Sequence, residues 1–257
     1  MIRPEVVVHT SADVLAAATA ARLSTRIVDI QAASGSASLV LTGGGIGTAV
    51  LRALARAQPA SAVDWQGLDI YWGDERFLPA GDRERNETQA RQALLDHVAV
   101  DPARVHPMGA LGGPDGDDPD AAARAYEDLL LSHRRPEDHG PAPSFDICLL
   151  GIGEDGHVAS VFPNSPAVYE TDRAVIGVRA SPKPPPTRIS LTLPAIRCAT
   201  EVWLIASGPA KAAAVTMALR GAGEVRIPAA GATGRRRTLW LLDRTAVAKL
   251  PPDLLPR

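Results

Sequence analysis

Aromatic residues are scarce in this chain: they make up 4% of 257 residues, so whatever core it buries must be mostly aliphatic. Cysteine is scarcer still. Cys148 and Cys198 form no cluster of the kind a metal needs, and Cys148 sits inside an apolar run, where a buried thiol points to a reducing compartment. Long hydrophobic runs are missing too. No stretch approaches the roughly 18 consecutive apolar residues of a membrane-spanning helix, and the apolar part of residues 1–9 is too short for a signal peptide. Nor does one sign of charge dominate. With 27 Lys and Arg against 29 Asp and Glu, the net charge of −2 gives no electrostatic reason to bind nucleic acid or an anionic membrane. The expectation is a cytoplasmic protein whose partner is a small molecule.

What is present supports a sizeable core: 46% of the residues are apolar and 22% charged, as in ordinary soluble domains. Short apolar stretches read as strands at residues 5–9, 38–42, 68–72, 145–150, 174–178, 189–193, 202–206 and 238–242. Between them, helical patterns cover residues 13–33, with Ser11 as N-cap, then a segment carrying Val50, Leu51, Leu54 and Ala55 on one face. Others cover residues 86–98, 120–131 and 209–220, the last with Pro209 near its first position. Alternating strands and helices with near-continuous apolar strands predict an α/β fold, a mostly parallel sheet with helices on both faces. Proline- and glycine-rich stretches at 109–119, 136–143 and 181–186 read as surface loops, none long enough for an interdomain linker. One domain over 1–257 is expected.

Four places put unusual residues at or near strand ends, which face a common crevice in a doubly wound sheet. Thr42-Gly43-Gly44-Gly45-Ile46-Gly47 joins a strand to a helix start and offers bare N–H groups to an anion or oxyanion. It is no Walker loop, because Gly-Lys-Ser/Thr does not follow. Gly73-Asp74-Glu75-Arg76 reads either as a solvated turn or as a binding tip, where Arg76 offers a planar donor fork. Gly151-Ile-Gly-Glu-Asp-Gly156 fits the dinucleotide fingerprint in form only. Its two acids would repel a pyrophosphate, and no acid ends the next strand. Its value lies in Asp155 and His157, an acid and an imidazole flanking Gly156. The other histidines (His9, His97, His106, His133 and His139) lack metal-ligand spacing. Last come the cations: Arg188 opens a strand, and Lys211 opposes a helix dipole in a way that makes sense beside an anion. Arg235-Arg-Arg237 reads as an exposed loop face.

In this order the pieces resemble the 6-phosphogluconolactonase family over essentially the whole chain. The matching strings are Leu41-Thr-Gly-Gly-Gly45, Trp72-Gly-Asp-Glu-Arg-Phe-Leu-Pro79 with Arg85-Asn-Glu87, Leu150-Gly-Ile-Gly-Glu-Asp-Gly-His-Val-Ala-Ser-Val-Phe-Pro163, Thr187-Arg-Ile-Ser-Leu191 and Ser207-Gly-Pro-Ala-Lys211. The resemblance implies a modified Rossmann-like fold, hydrolysis of a sugar-phosphate lactone, and neither metal nor organic cofactor. It implies His157 and Asp155 as catalytic, and Gly43, Gly44, Gly45, Asp74, Arg76, Asn86, Gly156, Arg188 and Lys211 as substrate-binding. A monomer or weak homodimer is expected. Two positions depart from the pattern: Gly45 lacks a hydroxyl that many members carry, and Arg85 stands where serine is frequent. The sibling deaminases place Asn-Glu-Pro after their Gly-His-Ile-Ala-Phe string. Here Val161-Phe-Pro-Asn164 holds no acid, which favours lactone hydrolysis over deamination.

Overall fold

Strands that are apolar on both faces must be covered on both faces, and the chain's central strands are of that kind. The computed structural model describes residues 4–57 and 62–254; of the expected 1–257 domain, residues 1–3, 58–61 and 255–257 lie outside the described residues. Six strands pair in parallel throughout: β1 (Glu5–His9), β2 (Ala37–Leu41), β3 (Leu68–Trp72), β5 (Ile147–Gly151), β8 (Glu201–Ala206) and β9 (Arg237–Asp243). Their order is β1-β9-β8-β5-β2-β3. β4 (Asp74–Arg76), β6 (Val175–Val178) and β7 (Arg188–Leu191) form a separate antiparallel sheet in the order β4-β7-β6. The α/β fold with a mostly parallel sheet is as expected, but the strands near 174–178 and 189–193 do not join the main sheet. The link between β6 and β7 is too short for a helical crossover, so an antiparallel hairpin is what it allows.

Helices α1 (Ala12–Ser34), α2 (Gly44–Arg56), α3 (Asn86–Ala93), α4 (Pro119–Ser132), α5 (Leu193–Ile196) and α6 (Ala212–Leu219) complete the fold. Ser11 caps α1 as expected, its Oγ accepting the Val14 N–H at 3.3 Å. α1 packs on α2, β1, β2 and β9, whereas α4 lies against β6 and β7. Two expected helices are shorter than their patterns. Residues 86–98 break at Leu94, whose φ of −145° leaves the helical region, and finish as a 3-10 turn, Leu95–His97. Residues 209–220 begin as a 3-10 turn, Pro209–Lys211, so Lys211 precedes α6 instead of sitting in its first turn. The core is aliphatic, as the composition requires, with Leu15, Leu23, Ile27, Leu39, Leu54 and Leu68 among its fully buried side chains. Arg235 and Arg236 are exposed, but Arg237 opens β9 and forks onto the Glu5 carboxylate at 3.0 and 2.6 Å.

The feature that places a site is the seam between β2 and β5. From β2 the chain proceeds to β3 on one side, while β5, β8, β9 and β1 lie on the other, so connections diverge here. The ladder between the two strands holds only Leu39 with Ile147 and Val40 with Cys148. Beyond it the strand tips are joined by the Gly151 N–H donating to Thr42 Oγ1 at 3.1 Å. Among the described residues no helix is long and apolar enough to cross a membrane.

Candidate active site

At that seam lies a cleft of about 520 Å3. The Gly43–Gly45 backbone, Asp74, Arg76, Asn86, His157, Arg188 and Lys211 all line it, so most of the residues singled out in the sequence converge. Asp155 and Gly156 sit behind the imidazole. Among the described residues no group of three or more His, Cys, Asp or Glu is placed to hold a metal ion.

β5 ends in Gly151, and the next residues fold into a tight loop in which the Gly153 N–H donates to the His157 carbonyl at 2.8 Å. The Gly156 N–H returns to the Gly153 carbonyl, and Gly156 itself takes φ +87°, a conformation glycine adopts without strain. This turn sets the His157 Nδ1 at 2.5 Å from Asp155 Oδ1, which also accepts the His157 main-chain N–H at 3.2 Å. Partial burial pushes Asp155 up, but the hydrogen bond and charge of His157 outweigh it and hold the carboxyl at about 2. It is therefore ionised throughout the neutral range. The Phe162 ring supports the imidazole at 4.4 Å between centroids. Gly153 is bare for a reason: a Cβ there would overlap His157 Nδ1 and Asp155 Oδ1.

The other wall comes from the antiparallel sheet. Gly73–Arg76 is no solvated turn, since Asp74 is 6% exposed and Glu75 fully buried. Asp74 Oδ2 accepts the Ser160 hydroxyl at 2.6 Å, and the Asn86 Nδ2 donates to the Asp74 carbonyl at 2.8 Å and to Oδ1 at 3.2 Å. Arg188 is largely committed to internal partners. Its Nε donates to Pro185, one terminal nitrogen to the Lys183 and Pro184 carbonyls, each at 3.1 Å, and the other to Ser160 Oγ at 3.3 Å. Arg76 lines the cleft while donating to the Glu84 carbonyl at 2.6 Å.

Residues 181–186 form a surface loop as expected, with Pro182, Pro184 and Pro186 exposed, and two of them, Lys183 and Pro184, also border the cleft; Lys183 is a cation the sequence reading passed over. The signal was there: a lysine stiffened between prolines is a cation presented at low entropic cost. Lys183 stands close enough to Lys211 that the Lys211 ammonium is lowered, by burial first and by the Lys183 charge second. Two like charges beside each other in a half-buried wall favour an anion between them. Ser160 and Phe162 were the other omissions.

A family model described as glucosamine-6-phosphate isomerases/6-phosphogluconolactonase matches residues 10–240. A 6-phosphogluconolactonase of Streptomyces coelicolor is 61% identical over 253 residues, spanning 98% of this chain and 97% of that protein. The solved 6-phosphogluconolactonase of Trypanosoma brucei aligns with a TM-score of 0.82 at 28% identity, over 98% of this chain and 100% of that one. A monomeric glucosamine-6-phosphate deaminase aligns at a TM-score of 0.77 and 23% identity, over 96% and 100% of the two chains, a likeness of fold alone. With its glycine loop, its Asp155–His157 pair and this match over most of its length, the chain belongs to the glucosamine-6-phosphate isomerase/6-phosphogluconolactonase family.

Proposed function

We propose that this chain hydrolyses 6-phospho-D-glucono-1,5-lactone to 6-phospho-D-gluconate in the oxidative pentose phosphate pathway. The observation that carries the reading is the His157–Asp155 pair, closed at 2.5 Å on the tip of β5 and sharing its cleft with a glycine loop and two lysines. With Asp155 engaging Nδ1, the Nε2 of neutral His157 is left as an acceptor, a tautomer assigned from the carboxylate partner. A water attacks the lactone C1 while Nε2 takes its proton. The carbonyl oxygen becomes an oxyanion that the N–H groups of Gly44 and Gly45 meet at the start of α2. As the intermediate collapses, the bond from C1 to the ring oxygen breaks and the imidazolium returns the proton to that oxygen. One water is consumed and one carboxylic acid is released.

Lys211 and Lys183 hold the 6-phosphate in this scheme. Arg188 borders it while anchoring the 183–185 strap, and Arg76 meets the phosphate or the sugar oxygens. Removing either lysine as Lys183→Ala or Lys211→Ala should raise KM for the lactone about tenfold or more, since a hydrogen bond to a charged group contributes about 1.5–3 kcal/mol. Unchanged KM in both variants would take the phosphate away from this wall.

The activity itself is tested with lactone made in situ from glucose 6-phosphate, following acid release above the spontaneous rate. Marked acceleration is expected, with no ammonia released from glucosamine 6-phosphate, because no acid stands in the 161–164 stretch. A rate equal to the uncatalysed one would defeat the proposal. The same reading takes residues 1–257 as one domain, supported by a hydrophobic cluster that runs from Leu15 to Leu250. It takes the protein as a cytoplasmic monomer or weak homodimer, which sedimentation of the purified chain would test.

A further inference from the structure

Glu75 lies outside the cleft lining and is fully buried, where a carboxylate is costly unless it is bonded on every side. Its Oε1 accepts the main-chain N–H groups of Arg76 at 2.7 Å and Asn86 at 2.6 Å, and Oε2 accepts that of Glu87 at 2.9 Å. Two of these are the first N–H groups of α3, which have no partner within the helix. Arg85, 1% exposed, sets its guanidinium 3.6 Å from Glu75 Oε2 and 3.3 Å from Glu87 Oε2. The same guanidinium donates to the carbonyls of Leu78, Met108 and Gly109 at 3.1, 2.8 and 3.2 Å. β4, the start of α3 and the 108–109 backbone therefore meet in one ionic node.

The node continues into the cleft through Asn86. Its Nδ2 holds Asp74, and its carboxamide lies so close to Gly43 that a Cβ on that glycine would overlap it. Gly43 precedes α2 and leads the glycine loop. Asn86 thus bonds the antiparallel sheet through Asp74 and packs, with its buried Oδ1 unbonded, against the glycine that leads the parallel sheet's loop.

We propose that Glu75 and Arg85 are positioning residues for the reaction: they fix the start of α3 so that Asn86 holds the Gly43–Gly45 loop and Asp74 at a set spacing. This rests on the lactonase reading above. It gives Arg85 the task of offsetting burial, which leaves the Glu75 carboxyl raised to about 7 even with the Arg85 charge and three main-chain N–H groups pulling it down. Neither side chain touches substrate. Their effect passes through one carboxamide into the loop that meets the developing oxyanion, so it falls on kcat before KM.

The test compares wild type with Glu75→Gln, which keeps the shape but turns one oxygen into an NH2 facing a main-chain donor. Glu87→Gln is the control, removing the other carboxylate beside Arg85 while leaving the Glu75 bonds in place. In Glu75→Gln, kcat should fall about tenfold or more with KM within about twofold, as expected for misplaced catalytic groups. In Glu87→Gln both constants should stay within about twofold of wild type. The amide resonances of Gly43, Gly44 and Gly45 in the free protein should move in Glu75→Gln and hold still in Glu87→Gln. Equal effects of the two variants, or loop resonances that do not move, would overturn the proposal. If Glu75→Gln does not fold, Arg85→Lys and Arg85→Met replace it. The lysine should retain most of the kcat that the methionine loses, and equal loss again overturns the idea. A wild type that fails to hydrolyse the lactone refutes the proposed function instead, and the loop resonances still decide whether Glu75 positions the loop.

Discussion

His157→Ala should lower kcat for the lactone by about 100- to 10,000-fold and leave KM within about twofold. The asymmetry follows from the division of the cleft. In the proposed scheme the base is held on the β5 tip by Asp155 and Phe162, whereas the cations Lys183 and Lys211 come from other segments and would bind the far end of the substrate. Losing the imidazole removes the proton acceptor for water and the donor for the leaving oxygen, but none of the anchors. Asp155→Asn should follow in the same direction with a smaller loss. The amide cannot stabilise the imidazolium and permits the wrong tautomer. The check is steady-state kinetics on fresh lactone with the spontaneous rate subtracted, and near wild-type kcat in His157→Ala would remove this residue from the scheme.

The second large effect comes from a single methyl group. Gly153→Ala should cost about 100-fold in kcat while the protein stays folded, because misplacing a catalytic group by an ångström is enough for such a loss. A Cβ at Gly153 would occupy the space of His157 Nδ1 and Asp155 Oδ1, so the imidazole and carboxylate cannot keep their 2.5 Å contact. The overlap is with side chains at the cleft edge and not with the core, so the damage is confined to the site. A thermal melt close to wild type together with collapsed kcat is the expected pair of observations. Retained activity would mean that the Asp155–His157 contact is dispensable.

The sequence was most informative where structure is local. Asp155 and His157 are two residues apart around one glycine, and the strands run as unbroken apolar stretches, so both could be read directly. The β6–β7 hairpin was missed because apolar strands carry no mark of parallel or antiparallel pairing, although the short link between them did. The Asp74–Ser160–Arg188 network was illegible for a different reason. Its bonds span 86 and 28 residues along the chain, and no spacing rule reaches that far. Glu75 looked like part of a charged turn, and only the partners brought by α3 and Arg85 explain a carboxylate with no exposure. Lys183 was passed over because its prolines read correctly as a surface loop, and nothing local says that this loop also borders the cleft.

The two thiols have a practical consequence. Cys148 is fully buried within β5 and Cys198 is 4% exposed, and burial raises both above the ordinary thiol range. Thiolates are what maleimides attack, so the native chain should remain unlabelled under mild conditions. It is in effect already a cysteine-free background for spectroscopy. One cysteine introduced at the exposed Glu154, beside the Asp155–His157 turn, would take a fluorophore at a single defined place and turn ligand entry into an optical signal without any further engineering.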